Sequence, residues 1–319
     1  MKVLKRIGWI CLSLFVLLNI IGAFHAYKFT HFYPDNTHAN KRPEQMSTWE
    51  KTRMILFGIR ISKPVVKNFP DVPYETIALH TSGHLKLEGW WIPATQPRGT
   101  VILFHGYMGN KGAQLSEAAY FRALGYNTFL LDFRAHGNSD GFTTSIGFKE
   151  AEDVWLAYDF VHRQKAQQHI ILWGMSMGAA AILKAVPEYQ LQPEKIILES
   201  PFATLTDAVK GRMRAVHLPG TPLAQLLTFW GGMELGFSGF DYAPEAYAQK
   251  IKAPVLLCWG KQDTRVIEAE TQAIYQHLGS PDKTLLIFPD AGHESFCQHD
   301  PQKWQTAIRH FLGVATSQP

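Results

Sequence analysis

The sequence predicts an α/β fold: a mostly parallel central sheet with helices on both faces, interrupted by a helical lid insertion and preceded by an N-terminal transmembrane helix. Three observations predict it. From Tyr74 onward, short apolar runs alternate with segments of helical periodicity, the βαβα order that builds a parallel sheet. Runs such as Thr100–Phe104 (TVILF) are apolar almost throughout, as strands buried on both faces require. The chain also opens with an uncharged apolar stretch, Ile7 to Phe24, whose 18 residues span roughly 27 Å as a helix, close to a hydrocarbon core of about 30 Å.

Taken in order, residues 1–29 read as a membrane anchor. Lys2, Lys5 and Arg6 precede the apolar stretch, and only Lys28 follows closely before Lys41 and Arg42. The positive-inside rule then puts the N-terminus in the cytoplasm and the body across the membrane, which is the periplasm in a bacterium. The main rival reading is a cleaved signal peptide and a secreted or periplasmic body, and a buried core helix is a further one; Ile21-Gly22-Ala23 is a weak candidate cleavage site, and the apolar run exceeds a usual signal core. Residues 30–73 form a polar juxtamembrane linker and covering segment, with an apolar patch at Met54–Ile61 that reads as a helix or strand covering the main domain or as a second membrane-contacting element beside the active site.

The remaining segment, 74–315, reads as a single domain. Glu75–His80 and Leu85–Ile92 form a leading hairpin turning at Ser82-Gly83. Strands follow at Thr100–Phe104, Asn127–Asp132, His169–Trp173, Lys195–Leu198, Pro254–Trp259 and Thr284–Phe288. Helices are expected at Ala113–Leu124, Phe148–Arg163, Met177–Ala185, Glu268–Leu278 and Pro301–Phe311. The alternation lapses over about 203–250, too long for a plain connection and dense in Gly, Leu and aromatics, so it reads as a lid. Trp230, Phe229, Phe237 and Phe240 line an acyl pocket or simply pack this insertion.

Charge narrows the partners. The chain has 31 basic and 27 acidic side chains; Lys2, Lys5, Arg6 and Lys28 take four of the basic ones, leaving 27 against 27 in the body. A neutral body without basic runs argues against nucleic acid, which needs clustered Lys and Arg. Cys11, Cys258 and Cys297 make neither a disulfide framework nor a metal-binding spacing; Cys258 and Cys297 read as separate buried thiols or, on an oxidising side of the membrane, as a pair.

The chemistry is carried by three side chains in a set order. Gly174-Met175-Ser176-Met177-Gly178 is a GxSxG motif, and its context counts for more than its pattern: it follows the apolar run HIILW and opens the helix MGAAAILKAV. A serine on such a turn is a candidate nucleophile, but it needs a base and the base needs an orienting acid. Asp263 follows the run PVLLCW, 87 residues after Ser176, and His293 follows TLLIFPD 30 residues later. Both lie just beyond a strand's C-terminal end, where open α/β sheets build their sites. Asp241, Asp290 and Glu199 are alternative acids. Backbone N–H groups of Met177 and of Tyr107, in the loop His105-Gly106-Tyr107 after TVILF, are the candidate oxyanion donors. His105 reads as fixing that loop, whereas His136 and His217 are read as packing residues rather than pocket walls.

With HGYMGN, DFRAHGNSDG, GMSMG, GKQD and AGHES on one chain, residues 74 to 311 resemble the α/β-hydrolase superfamily. The resemblance implies a serine hydrolase with catalytic Ser176, Asp263 and His293, an oxyanion hole of Tyr107 and Met177, and no metal or organic cofactor. Ala135 stands where the family's DxRGxGxS turn has its first glycine, which leaves the triad untouched. An apolar anchor before such a domain is similar to membrane-anchored members related to depalmitoylases and bacterial inner-membrane hydrolases. The expected activity is cleavage of an ester or thioester of a small-molecule or acylated substrate. Peptidase or amidase activity in the same fold is one alternative; a non-catalytic membrane-tethered binding protein is another, disfavoured because a binder has no need of three such residues. Oligomeric state is not legible.

Overall fold

A computed structural model describes residues 2–34, 40–41 and 46–314. The linker positions His38, Arg42 and Pro43 and the expected domain limit at 315 lie outside the described residues. One eight-stranded sheet organises the chain, in the order β1-β2-β4-β3-β5-β6-β7-β8. Strands β1 (Glu75–His80) and β2 (Lys86–Ile92) form the leading hairpin, and β2 also pairs antiparallel with β4 (Asn127–Leu131). Every other pairing is parallel, joining β3 (Thr100–Phe104), β4, β5 (Ile170–Met175), β6 (Lys195–Glu199), β7 (Val255–Gly260) and β8 (Lys283–Phe288).

The two-residue period of a strand sends alternate side chains to opposite faces. Ile102, Phe104, Leu172 and Leu198 enter one core layer, under α4 (Glu150–Asp159), α5 (Met177–Glu188) and α9 (Glu268–His277). Val101, Leu103, Trp173 and Ile197 enter the other, under α3 (Leu115–Ala123) and α11 (Pro301–Leu312). Both faces being covered explains why these runs read as apolar throughout. The long helix expected over 148–163 instead ends at Asp159 and continues as a π-helical turn, Phe160–Gln164. That wider turn leaves both Phe160 and Val161 in the core. Cys258 and Cys297 are both buried and unpaired.

Two segments outside the sheet matter for the site. The N-terminal helix α1 (Lys2–Thr30) has 29 residues, and its large apolar side chains from Val3 to Phe24 are mostly exposed. Its buried residues are Gly22, Ala26 and Thr30, a four-residue spacing that marks one face near its C-terminal end. The lid region folds as α6 (Leu205–Ala215), α7 (Leu223–Leu235), a 3-10 turn Gly239–Asp241 and α8 (Pro244–Ala248). Helix α7 packs on that small-residue face of α1, where a side chain in place of Gly22 would meet Leu226 at 2.7 Å. The Trp230 indole N–H closes the contact by donating to Asn19 Oδ1 at 3.1 Å.

The apolar patch at Met54–Ile61 is in part helical. Helix α2 (Thr48–Phe57) starts with a capping box, Ser47 against Glu50. Beyond it Ile59 and Ile61 pack with Phe32 against Ala135. Ala135 has φ +65°, the left-handed conformation that glycine adopts freely. The methyl group that strains the backbone is thus buried under this strap. Two residues on, Gly137 admits no such replacement, because a Cβ would lie 2.0 Å from the Asp132 carboxylate.

That carboxylate organises the turn. Asp132 accepts from the backbone N–H of Lys111 at 2.7 Å and of Asn138 at 2.9 Å, and the buried Lys111 ammonium bridges Asp132 and Glu88. Burial holds the Asp132 carboxyl above its usual range even with Lys111 beside it, so desolvation outweighs the attraction. Such a pair matters most by being complete. Lys111→Met is expected to destabilise the fold by about 3–5 kcal/mol, while Lys111→Met with Asp132→Asn recovers much of that loss. Thermal midpoints of the three proteins in detergent check this; equal losses in single and double variants would contradict it.

Candidate active site

Ser176 sits where β5 turns into α5, with φ +52° and ψ −115°. Its N–H donates to the Glu199 carbonyl at 2.7 Å, and its carbonyl accepts from Ala180, which ties the turn to β6 and to the first turn of α5. Gly178 allows the helix to start here: a Cβ would lie 2.3 Å from the carbonyl oxygen of Phe104 at the end of β3. The strained turn therefore needs both a positive φ at Ser176 and the absence of a side chain at 178.

The structure brings Ser176, His293 and Asp263 together. His293 Nε2 is 2.9 Å from Ser176 Oγ, and His293 Nδ1 is 2.7 Å from Asp263 Oδ2. The other Asp263 oxygen accepts from the backbone N–H groups of Arg265 at 2.7 Å and Val266 at 2.9 Å, which locks the carboxylate's orientation. Burial works to raise the Asp263 pKa, but attraction to His293, the hydrogen bond to it and the two backbone donors together hold it below the usual carboxylate range. The alternative acids lie elsewhere: Asp241 and Asp290 are exposed turn residues.

Glu199 is buried behind this group and accepts the indole N–H bonds of Trp173 at 3.0 Å and Trp304 at 2.7 Å. Burial, reinforced by Glu117, pushes its pKa up to about 8. It is therefore uncharged at neutral pH, a packing acid rather than a base. A folded-state pKa above the unfolded one stabilises the protein at low pH and loses that contribution as pH rises through the folded value. Glu199→Gln should accordingly flatten the fall in thermal midpoint between about pH 5 and about pH 8. Identical pH profiles for variant and wild type would contradict this.

Tyr107 and Met177 border the same cavity as Ser176 and His293. Met177 opens α5, where first-turn N–H groups have no acceptor within the helix. The Tyr107 loop is held from three sides. His105 Nε2 accepts from Phe133 N–H at 3.1 Å, which leaves Nδ1 to donate to the Gly106 carbonyl at 2.8 Å. Burial lowers the His105 pKa to about 4, so the ring stays neutral in this role. His136, buried and lowered to about 3 by the same cause, accepts from Met108 N–H at 3.4 Å. The Tyr107 hydroxyl donates to the Phe29 carbonyl at 2.5 Å, and Arg212 lies over its ring at 4.6 Å.

A cavity lies in front of Ser176. Phe202, Leu205, Val209, Leu227, Leu235 and Phe237 give it apolar walls. Of the four aromatic residues expected there, only Phe237 contributes. Trp230 is turned to α1, while Phe229 and Phe240 are exposed. His136 and His217 do not line it. The sequence reading missed one wall: Ala26, Phe29 and Thr30, from the end of α1. The signal was the Gly22-Ala26-Thr30 spacing, which makes a packing face on an otherwise apolar helix.

Comparison with known proteins agrees with this architecture. The family model Hydrolase_4 (Serine aminopeptidase, S33) matches residues 95–230 and 242–302, more than half of the chain. Protein bem46 of Schizosaccharomyces pombe is 25% identical over 293 residues, covering 90% of this chain and 87% of that protein. A monoacylglycerol lipase of Mycolicibacterium smegmatis is 24% identical, covering 65% of this chain and 85% of its own. Among solved structures, the Pyrococcus furiosus esterase Pf2001 superposes with a TM-score of 0.66 at 26% identity, over 79% of this chain and 98% of that one. The chain belongs to the Hydrolase_4 (Serine aminopeptidase, S33) family and is an esterase- and lipase-like member of the α/β-hydrolase superfamily.

Proposed function

We propose that the protein is a membrane-anchored serine esterase that cleaves a carboxylic ester or thioester through an acyl-enzyme. The observation that carries this reading is the hydrogen-bonded chain Ser176–His293–Asp263 at the head of an apolar cavity. Ser176 Oγ attacks the carbonyl carbon while His293 Nε2 takes its proton, and Asp263 holds the imidazole in the tautomer whose Nε2 is free to do so. The backbone N–H groups of Tyr107 and Met177 receive the oxyanion. His293 then protonates the leaving alcohol or thiol, and later deprotonates the water that releases the acid. No step calls for a metal or an organic cofactor.

The family description also names an aminopeptidase, so peptide cleavage is the second reading. An aminopeptidase must receive a substrate ammonium beside the scissile bond. Among the described residues that line the cavity, none is a carboxylate that could receive that group. Aminoacyl anilides are therefore expected to turn over at least about 10²-fold more slowly than p-nitrophenyl esters of apolar acids. Equal or faster cleavage of the anilides would move the assignment to peptidase.

Helix α1 serves in this account as an uncleaved anchor, with its N-terminus in the cytoplasm and the folded body on the far side. Its contact with α7 and its part in the cavity wall support retention over removal as a signal peptide. Mass spectrometry of the mature protein should find residues 2–24 present; a mature N-terminus near Phe24 would contradict the anchor.

A further inference from the structure

We infer that α1 is a wall of the substrate site as well as an anchor, and that the acyl chain of a bilayer lipid reaches Ser176 along it, from the membrane rather than from water. This rests on the serine esterase reading above and specifies where its substrate comes from.

A second cavity lies between α1, α2, α6 and α7. Phe29, Val209, Arg212 and Leu227 face both it and the catalytic cavity, so the two adjoin across these four side chains. Leu18, Ile21 and Gly22 of α1, Ile55 of α2 and Leu223 and Leu226 of α7 supply much of its lining. Among the described residues, His25 and Arg212 are its only polar lining groups. Such a space suits an unbranched hydrocarbon and offers almost nothing to a polar leaving group.

Direction follows from the helix. From Phe29, beside the catalytic cavity, to Leu18 the lining runs along α1 for eleven residues, roughly 16 Å at the helical rise. It therefore leads toward the part of α1 whose apolar side chains are exposed and are read as membrane-embedded. Helices α2 and α7, which both contribute to the lining, also expose apolar side chains. Leu56 and Phe57 of α2 are 64% and 67% exposed, and Met233 of α7 is 61% exposed. An apolar rim of this kind beside a membrane helix is what a bilayer contact needs. A chain passing from bilayer to cavity moves between two apolar media and never meets water.

The test uses full-length protein in phosphatidylcholine vesicles, with p-nitrophenyl butyrate and p-nitrophenyl palmitate as probes. Val216→Trp and Leu223→Trp place bulk in the second cavity and not in the first. The ratio of palmitate to butyrate turnover should fall about tenfold or more in each. An unchanged ratio would overturn the inference. As a second measurement that needs neither variant, Ser176→Ala protein is photolabelled with palmitate carrying a terminal diazirine. Labelling of the peptide that contains Leu18 to His25 supports the route, and labelling confined to other peptides overturns it. Because this readout involves no turnover, its failure is distinguishable from failure of the esterase reading, which shows as ester hydrolysis surviving in Ser176→Ala.

Discussion

Ser176→Ala is expected to lower kcat on p-nitrophenyl esters by roughly 10⁶-fold, about 8 kcal/mol of transition-state stabilisation. The size follows from the nucleophile's role: without Oγ there is no covalent route, and the cavity and oxyanion donors alone leave only a residual rate over water. The fold should be unaffected. Alanine carries the same backbone strain that Ser176 already bears at φ +52°, and the side chain gives up one hydrogen bond, to His293. His293 keeps its bond to Asp263. Unfolding free energy within about 1 kcal/mol of wild type, with activity gone, is the expected pair of results. Activity within tenfold of wild type would remove Ser176 from the mechanism.

Asp263→Asn is the second large effect, a loss of roughly 10⁴-fold in kcat with little change in KM. Asp263 Oδ2 accepts from His293 Nδ1, which fixes the proton there and leaves Nε2 bare toward Ser176 Oγ. An asparagine that turns its NH₂ to Nδ1 selects the opposite tautomer, and an imidazole protonated at Nε2 cannot take the serine's proton. The amide oxygen can still accept from Arg265 and Val266, so the loop should hold its shape. A purely structural aspartate would instead lower the thermal midpoint and leave the pH profile of kcat unchanged. Steady-state kinetics across pH on a folded variant separates the two.

Much of this was legible in the sequence, and for physical reasons. Runs such as TVILF declare themselves because both faces of the sheet are covered, so every position of β3 is buried. GMSMG declares itself because Gly178 cannot carry a side chain against Phe104 and because a strand leads into it. The Ser176, Asp263, His293 order follows from the habit of α/β sheets to place functional side chains past strand ends. What was not legible depended on contacts across the chain. The uncharged stretch Ile7 to Phe24 read as an anchor or a signal peptide and not as a wall of the site, since the face made by Gly22, Ala26 and Thr30 acquires meaning only against α7, some two hundred residues later. Glu199 read as an alternative acid; its burial under two tryptophans, one from β5 and one from α11, is a tertiary fact. The π-helical turn after Asp159 follows from keeping both Phe160 and Val161 inside, which helical periodicity does not anticipate.

The central claim is that Ser176 is the nucleophile of an acyl-enzyme mechanism. It is tested most directly by treating the full-length protein with a fluorophosphonate and mapping the adduct by peptide mass spectrometry. The account predicts one phosphonate on Ser176, stoichiometric with loss of esterase activity, and no adduct in Ser176→Ala. A phosphonate on another residue together with inactivation, or full inactivation with Ser176 unmodified, would contradict it.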